Sequence, residues 1–189
     1  MVQDLGEMLK RYGVLREGHF LLTSGKHSDK YFEKFRILEQ PPVCEAFARA
    51  VADRFGKDSV TVVCGPTTGG IIIAYEVARQ LGCRCVIAEK SETGRKIGRG
   101  FRLGPEDRVV VVDDVLTTGG SIKETLAAVE PSGAKVIGVG VYVDRSAGVD
   151  FGVPLFGAYR QEVATFEPTA CPFCANSIPL EEPGRSGKK

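Results

Sequence analysis

From residue 60 onward, short runs of apolar, β-branched residues alternate with stretches whose apolar positions recur at helical spacing. Each apolar run is typical of a strand that is buried on both faces. A helical pattern follows the first run and ends near Gly82, and another follows the third run and ends near Glu130. The predicted strands span residues 60–64, 84–88, 109–112, 135–143 and, as a short last strand, 151–156. This alternation predicts an α/β fold with a doubly wound parallel sheet.

The residues before this alternation carry a different pattern. Apolar residues at helical spacing predict a short helix over residues 2–12, and a second helix begins at Pro41 and ends at Gly56. Residues 20–22 and 31–35 are predicted strands. The tight connection between them holds four polar residues, Lys26, His27, Ser28 and Asp29. Polar clusters on loops indicate either function or a plain solvated turn, and the pattern leaves both open.

The length of 189 residues fits one domain with a small appendage. We expect this domain over residues 1–165, with a small N-terminal hood of about residues 1–40 and a core of about residues 41–165. Residues 166–189 are expected to form a short C-terminal CxxC segment followed by a flexible polar tail.

The stretch VVVVDDVLTTGGS, residues 109–121, carries the most specific chemical signal. Asp113 and Asp114 follow the run of valines and would lie at the C-terminal edge of the sheet, where open α/β sheets bind their ligands. Hydroxyl and glycine residues then lead into a helix: Thr117, Thr118, Gly119, Gly120 and Ser121. Such a helix start can cradle phosphate, and two carboxylates beside it can bind ribose hydroxyls or a hydrated magnesium ion. Taken alone, the residues also permit a plain turn and a capped helix.

Two further stretches are predicted to lie near this edge. The sequence GPTTGG, residues 65–70, is a second glycine-rich loop between a strand and a helix, and it contains Thr68 and Gly69. Residues 89–102 hold five basic and two acidic residues, a local charge of +3, together with three glycines. We expect this second stretch to be a mobile cationic loop suited to close over pyrophosphate. An ordinary solvated loop is the alternative.

Composition excludes several classes of protein. A net charge of +1 gives no overall field of the kind that attracts nucleic acid or membranes. The apolar runs fall short of the roughly 18–20 residues that a membrane span needs. The first residues are amphipathic and include acids, unlike a signal peptide. We therefore expect a cytoplasmic protein without nucleic-acid or membrane partners.

Cys171 and Cys174 form a lone CxxC pair, which is a weak signal for a structural zinc site because such a site needs four ligands. Two subunits could each supply one pair, or Cys83 and Cys85 could complete the set. The plain alternative, a reduced turn without metal, is favoured by the sequence, because the remaining cysteines lie in apolar patterns typical of small buried hydrophobic residues.

Three stretches of the sequence resemble segments of known enzymes. Residues 109–121 resemble the phosphoribosyl diphosphate (PRPP) motif of type I phosphoribosyltransferases. The hairpin SGKHSDKYF, residues 24–32, is similar to the SGxxSxxYF hairpin of orotate phosphoribosyltransferases, and DRSAG, residues 144–148, resembles that family's DRxxG segment. Order and spacing agree over about residues 5–165. That family makes orotidine 5′-phosphate and pyrophosphate from orotate and PRPP in pyrimidine synthesis.

The resemblance implies how PRPP would be bound. Asp113 and Asp114 would hold the ribose hydroxyls, and the residues from Thr117 to Ser121 would hold the 5′-phosphate. The loop with Thr68 and Gly69 would bind pyrophosphate. Magnesium would arrive with PRPP and would have no direct protein ligand.

The resemblance also implies roles in orotate binding and catalysis. Lys26 would contact pyrophosphate beside the orotate, and Lys90 would meet a PRPP phosphate. Orotate would lie near Phe32 and Thr117, and Arg145 would pair with its carboxylate or a ring carbonyl. The family resemblance implies a homodimer, in which the mobile loop reaches the neighbour's active site.

The sequence departs from the family at two places. Many members have a lysine where this chain has Gly69, and better-known members carry a Lys and a His in the mobile loop. This chain has no His between residues 89 and 104, so Arg95 and Lys96 are the available substitutes.

Two other functions are considered. One is transfer to a different base such as a purine, but a neutral purine offers no carboxylate to Arg145. The other is a PRPP-binding regulator without the reaction, but we find neither a helix-turn-helix segment nor a basic face outside the presumed active-site loop.

Overall fold

The computed structural model describes residues 4–22 and 24–183, so the predicted helix start at residue 2 and the last six residues lie outside it. The helices are α1 (Leu5–Arg11), α2 (Phe35–Glu39), α3 (Pro41–Phe55), α4 (Gly69–Leu81), α5 (Gly120–Val129) and α6 (Pro172–Ala175). The strands are β1 (Leu15–Leu21), β2 (His27–Phe32), β3 (Val62–Pro66), β4 (Arg84–Ser91), β5 (Gly94–Ile97), β6 (Arg108–Leu116), β7 (Lys135–Asp144), β8 (Leu155–Arg160) and β9 (Thr165–Phe166).

The core is a six-stranded sheet in the order β5-β4-β3-β6-β7-β8. All neighbouring pairs are parallel except β4 and β5, which form an antiparallel hairpin at one edge. Helices α3 and α4 pack on one face of the sheet, and α5 packs on β3, β5 and β6. The α/β, doubly wound parallel sheet predicted from the sequence is therefore confirmed.

The valine run in β6 shows why this strand lies at the centre. Val110 and Val112 belong to the hydrophobic cluster beneath α3 and α4, and Val109 and Val111 belong to the cluster on the opposite face. All four side chains have no exposed surface. A strand with apolar side chains on both faces must be covered on both faces. Helix α4 covers one face of β6 and α5 covers the other.

Strand β6 extends further than predicted. It continues through both acidic residues to Leu116, because its backbone keeps pairing with β7 as far as Leu116 opposite Asp144. Asp113 and Asp114 thus belong to the strand itself, and their positions are fixed by the sheet.

A separate three-stranded sheet forms the hood, in the order β1-β2-β9. The predicted second strand over residues 31–35 is wrong: β2 begins at His27 and ends at Phe32, and Phe35 starts α2. His27 and Ser28 are buried in this strand because β9 pairs with it, and the Ser28 hydroxyl donates to the Ala164 carbonyl at 2.9 Å.

The C-terminal segment packs on the hood over residues 165–181. Glu181, which follows β9 in the chain, is bonded to β1. Its carbonyl accepts from the Leu21 N–H at 2.8 Å, and its N–H donates to the His19 carbonyl at 2.8 Å. The expected polar tail begins at Glu181, which these two hydrogen bonds hold against β1, and residues 184–189 lie outside the described residues. The proposed boundary after residue 165 also falls inside β9.

Among the described helices, none combines the length and the apolar character needed to cross a membrane.

Candidate active site

Asp113 and Asp114 lie near the carboxyl end of β6 and are buried, with 8% and 4% of their surface exposed. The Asp114 N–H donates to Asp113 Oδ1 at 2.9 Å, and the Val115 N–H donates to Asp114 Oδ1 at 2.6 Å. Two adjacent buried carboxylates are costly to ionise together. The site is therefore suited to ligands that bring hydroxyl groups or positive charge.

Lys34, which the sequence analysis missed, supplies a cation to this pair. Its Nζ lies 3.0 Å from Asp114 Oδ2, and its side chain is 45% exposed. Lys34 stands in the short connection between β2 and α2, which carries it from the hood to the edge of the core sheet. No local signal marks it, because its partner is 80 positions away in the chain.

Gly69 lies against Asp114, so a side chain at this position would require the Asp114 carboxylate to shift. A Cβ at this position would lie 2.7 Å from Asp114 Oδ2 and 3.4 Å from the Leu38 Cδ1 atom. The position where many family members carry lysine is thus in direct contact with Asp114, and here Lys34 places its ammonium on the same oxygen.

Two helix N-termini lie at this edge of the sheet. Helix α4 begins at Gly69 after β3, and α5 begins at Gly120 after β6. The free N–H groups of a first turn and the positive end of the helix dipole favour phosphate. Gly119, which precedes α5, has a φ of +80°, and a Cβ there would lie 2.9 Å from the Phe151 ring, so the loop requires glycine. Thr117 and Thr118 are exposed in the same loop.

Residues 89–102, predicted as a loop, are in part a β-hairpin, so the prediction of an irregular loop is wrong for residues 89–97. Strands β4 and β5 pair antiparallel, with Lys90 opposite Arg95. Lys96 is exposed on the neighbouring position of β5. Closure of this hairpin over pyrophosphate stays a prediction.

Arg95 is fixed inside its own chain. Its side chain is 5% exposed, and its guanidinium donates to the Thr67 carbonyl and to the Ser121 hydroxyl, each at 3.2 Å. Glu124 Oε2 lies 3.4 Å from its Nε. Arg95 therefore joins the 65–70 loop to the first turn of α5, which does not fit a residue that reaches a neighbouring subunit.

These elements enclose a cavity of about 450 Å³. Its lining combines both acids, three cations, residues 67–70 of the first glycine-rich loop and, of residues 117–121, Ser121 alone. The full set is Lys34, Phe35, Thr67, Thr68, Gly69, Gly70, Lys90, Arg95, Asp113, Asp114, Val115 and Ser121. The structure thus brings together most of the residues that the sequence singled out for PRPP.

Arg145 lies just beyond β7, where its N–H donates to the Leu116 carbonyl at 2.9 Å. Its Cζ is 5.0 Å from the centre of the buried Phe32 ring. Burial lowers the pKa of this guanidinium from its ordinary value. Its Nε is buried without a hydrogen-bond partner, and no carboxylate within residues 4–22 and 24–183 pairs with it. Arg145 thus places a half-buried guanidinium beside an aromatic ring, an arrangement suited to a planar anionic ligand.

Lys26 and the cysteine pair lie outside the cavity lining. The Lys26 ammonium is 47% exposed and pairs with Glu167 Oε1 at 2.7 Å, so its predicted role at pyrophosphate stays a prediction. Cys171 and Cys174 lie at the start of α6 beside the hood strands. Cys83 and Cys85, considered as partners for them, instead pack against the core.

The Asp113 carboxyl gives a pH-dependent prediction. Burial, and secondly the charge of Asp114, raise the pKa of Asp113 from 3.8 to about 6. Between these pH values the native protein keeps a proton that the unfolded chain has lost, so the free energy of unfolding should fall as pH rises through that window. The full effect is on the order of 3 kcal/mol. Asp113→Asn should remove this loss and be more stable than the parent at pH 7.5.

Urea unfolding at pH 4, 5, 6 and 7.5 measures this effect, with the parent and Asp113→Asn compared at each pH. A variant that is less stable than the parent at pH 7.5 would show that the Asp113 charge is well accommodated in the free protein.

Comparison with known proteins identifies related families. A family model described as "Phosphoribosyl transferase domain" matches residues 35–153. The curated orotate phosphoribosyltransferase of Caldanaerobacter subterraneus subsp. tengcongensis is 47% identical over 179 residues, which is 94% of each chain. The orotate phosphoribosyltransferase of Pelotomaculum thermopropionicum is 46% identical over 182 residues, 96% of each chain.

A solved structure agrees with these matches. The crystal structure of orotate phosphoribosyltransferase from Aeropyrum pernix superimposes with a TM-score of 0.73 at 28% identity, covering 83% of this chain and 93% of that one. The structural likeness therefore covers most of both chains.

Proposed function

The chain belongs to the phosphoribosyltransferase family, and on this basis we propose that it transfers the phosphoribosyl group of PRPP to orotate. The products are orotidine 5′-phosphate and pyrophosphate, and the reaction is a step of pyrimidine synthesis. Relatives that carry this activity in their names are similar to the chain over nearly its whole length.

The position of Arg145 beside Phe32 is the observation that favours orotate over other bases. The half-buried guanidinium of Arg145 lies on the Phe32 ring, with Nε buried and without a hydrogen-bond partner among the described residues. Orotate is planar and carries a carboxylate, so it can stack beside Phe32 and accept a charge-assisted hydrogen bond from Arg145. A neutral purine offers no carboxylate and would leave the buried Nε of Arg145 without a partner, which is unfavourable.

The cavity residues divide the remaining work. The first turn of α5 would hold the 5′-phosphate, and Asp113 and Asp114 would hold the ribose hydroxyls. As the bond from the anomeric carbon to pyrophosphate breaks, negative charge grows on the leaving group, and Lys90 and Arg95 would stabilise it. The ring nitrogen of orotate, aligned by Arg145, then forms the new bond to the anomeric carbon.

Magnesium is the expected cofactor. The carboxylate oxygens of Asp113 and Asp114 fit a hydrated Mg²⁺ that comes with PRPP, since this ion prefers oxygen ligands and keeps several waters. When bound, it would neutralise pyrophosphate charge.

Assembly as a homodimer and a cytoplasmic location complete the proposal. The apolar side chains of Phe35, Ile72 and Tyr75 are 55%, 48% and 65% exposed on α2 and α4, which pack on each other. Apolar exposure of this extent supports a protein interface. The six cysteines are free, as is usual in a reducing compartment.

Base specificity tests the proposed function. Purified protein with PRPP and magnesium should consume orotate and leave adenine, guanine and uracil unused, as followed by absorbance and by chromatography of the nucleotide products. Turnover of a purine without turnover of orotate would support the other base class, and binding of PRPP without any turnover would support a regulator.

A further inference from the structure

Four side chains that can bind a metal ion meet in the hood. They are His19 on β1, His27 on β2, and Cys171 and Cys174 at the start of α6, and their ligand atoms all lie within 4.8 Å of one another. The two histidines are separated from the cysteines by more than 140 positions in the chain. In the sequence, the CxxC pair lacks two of the four ligands of a zinc site. The fold supplies them as His19 and His27.

The distances fit a tetrahedral site. His19 Nε2 lies 3.4 Å from Cys171 Sγ and 3.8 Å from Cys174 Sγ, and His27 Nδ1 lies 3.3 Å from Cys174 Sγ. Zinc bonds of ordinary length place neighbouring nitrogen and sulfur ligands about 3.3–3.8 Å apart. The two histidine nitrogens, 2.9 Å apart, would need to separate slightly around an ion.

The surroundings hold the ligands in place. His19, His27 and Cys171 are 2%, 6% and 3% exposed. His19 Nδ1 lies 2.8 Å from the Ile178 carbonyl, which can only accept, so Nδ1 carries the proton and the Nε2 lone pair faces the cluster. A backbone carbonyl that fixes the tautomer in this way is the usual support of a metal-binding histidine.

A metal-free cluster accounts for these contacts less well. With Nδ1 protonated, a neutral His19 has one lone pair at Nε2, yet this atom faces His27 and both cysteines. One cation at the centre would satisfy all four groups at once. Two thiolates and two imidazoles in a tetrahedral arrangement suit Zn²⁺ among the divalent metals.

We propose that His19, His27, Cys171 and Cys174 bind one structural Zn²⁺ within a single chain. The ion fastens the C-terminal segment to the β1–β2 hairpin. His27 is next to Lys26, whose ammonium pairs with Glu167 of the same C-terminal segment. The site lies outside the cavity lining, so the ion takes no part in the reaction.

Metal content tests the stoichiometry. Protein purified without chelator, or reloaded with zinc alone after chelation, should contain about one zinc ion per chain by mass spectrometry. About half an ion per chain would overturn the single-chain site in favour of one shared by two subunits. Absence of zinc after reloading, or another metal in its place after purification with zinc present, would overturn the proposal. A disulfide between Cys171 and Cys174 that persists in protein purified under reducing conditions would do the same.

Variants test the ligands. Cys171→Ser/Cys174→Ser and His27→Ala should lose zinc, whereas His27→Cys, which keeps a ligand, should retain it. The matched control is Cys83→Ser/Cys85→Ser. These two cysteines are two positions apart in the sequence and lie outside the cluster, so this variant should keep its full zinc content. Loss of zinc in this control and retention in the first double variant would refute the assignment. Cobalt loading of the parent should give the visible spectrum of a tetrahedral site with thiolate ligands. Because this measurement uses the parent, it tests the site even if a variant does not fold.

Stability separates a structural ion from a catalytic one. Chelated protein and Cys171→Ser/Cys174→Ser should melt several degrees below the zinc-bound parent, and zinc should restore the parent but not the variant. Turnover measured well below the melting temperature should stay within a few-fold of the parent. A folded, zinc-free variant with unchanged melting temperature, or with most of its turnover lost, would contradict a purely structural role.

Discussion

Replacing Asp114 by asparagine should lower kcat by at least about a hundredfold while the protein stays folded. Asp114 lies in the cavity, where its charge is proposed to orient the ribose as the bond to pyrophosphate breaks. The same substitution removes a carboxylate that raises the pKa of Asp113. The loss of the ion pair with Lys34, which is partly exposed to solvent, is therefore offset, and stability should change little.

Asp107→Asn is the matched control for this prediction. Asp107 is also a buried aspartate with a basic partner, and it is bonded to Arg84, to the Thr61 hydroxyl at 3.1 Å and to the Gly104 N–H at 3.0 Å. It lies outside the cavity lining. The control should lose about 1–3 kcal/mol of stability and keep its kcat. Steady-state kinetics and urea unfolding of both variants provide the comparison, and an Asp114→Asn enzyme with near-normal kcat would remove Asp114 from the catalytic site.

Arg145→Ala should raise the KM for orotate by roughly ten- to a hundredfold and change the KM for PRPP much less. The half-buried guanidinium is proposed to bind the orotate carboxylate, and a charge-assisted hydrogen bond of this kind is worth about 1.5–3 kcal/mol. Arg145→Lys should recover part of the loss, because it keeps the charge without the planar fork.

Arg160→Ala controls for the loss of an arginine near the same sheet edge. Arg160 ends β8 and pairs with Asp144 at 3.6 Å, and its side chain is 64% exposed. Both KM values should stay close to the parent. Equal weakening of orotate and PRPP in Arg145→Ala would mean that Arg145 supports the fold of the site and does not select the base.

The core, and the grouping of the two acids with the glycine-rich 65–70 loop, could be predicted from the sequence because their signals are local. The alternating burial of the β6 valines follows from a strand covered on both faces. The acids and the glycine-rich loop then follow in a fixed order, and parallel strands bring their carboxyl ends to one edge.

The hood could not be predicted in the same way, since its contacts join distant parts of the chain. Lys34 reaches Asp114, and His19 and His27 meet Cys171 and Cys174, across separations that no periodic pattern records. Residues 27–29 looked like a polar turn because the segment that buries two of them, residues 164–178, comes at the other end of the chain.

Arg95 illustrates a third limit. Charge and glycine content predicted a mobile cationic loop. The Arg95 side chain is instead buried, and it donates hydrogen bonds to Thr67 in the 65–70 loop and to Ser121 in the first turn of α5. Composition describes the residues of a segment and not the acceptors that surround them in the fold.

Phosphorus NMR of a mixture of PRPP, orotate and magnesium with the purified protein is the most direct measurement of the proposed reaction. PRPP should disappear with the formation of orotidine 5′-phosphate and pyrophosphate in equal amounts, and only when orotate is present. Asp114→Asn should leave PRPP largely unchanged under the same conditions. Persistence of PRPP with the parent protein, or its consumption without orotidine 5′-phosphate, would contradict phosphoribosyl transfer to orotate.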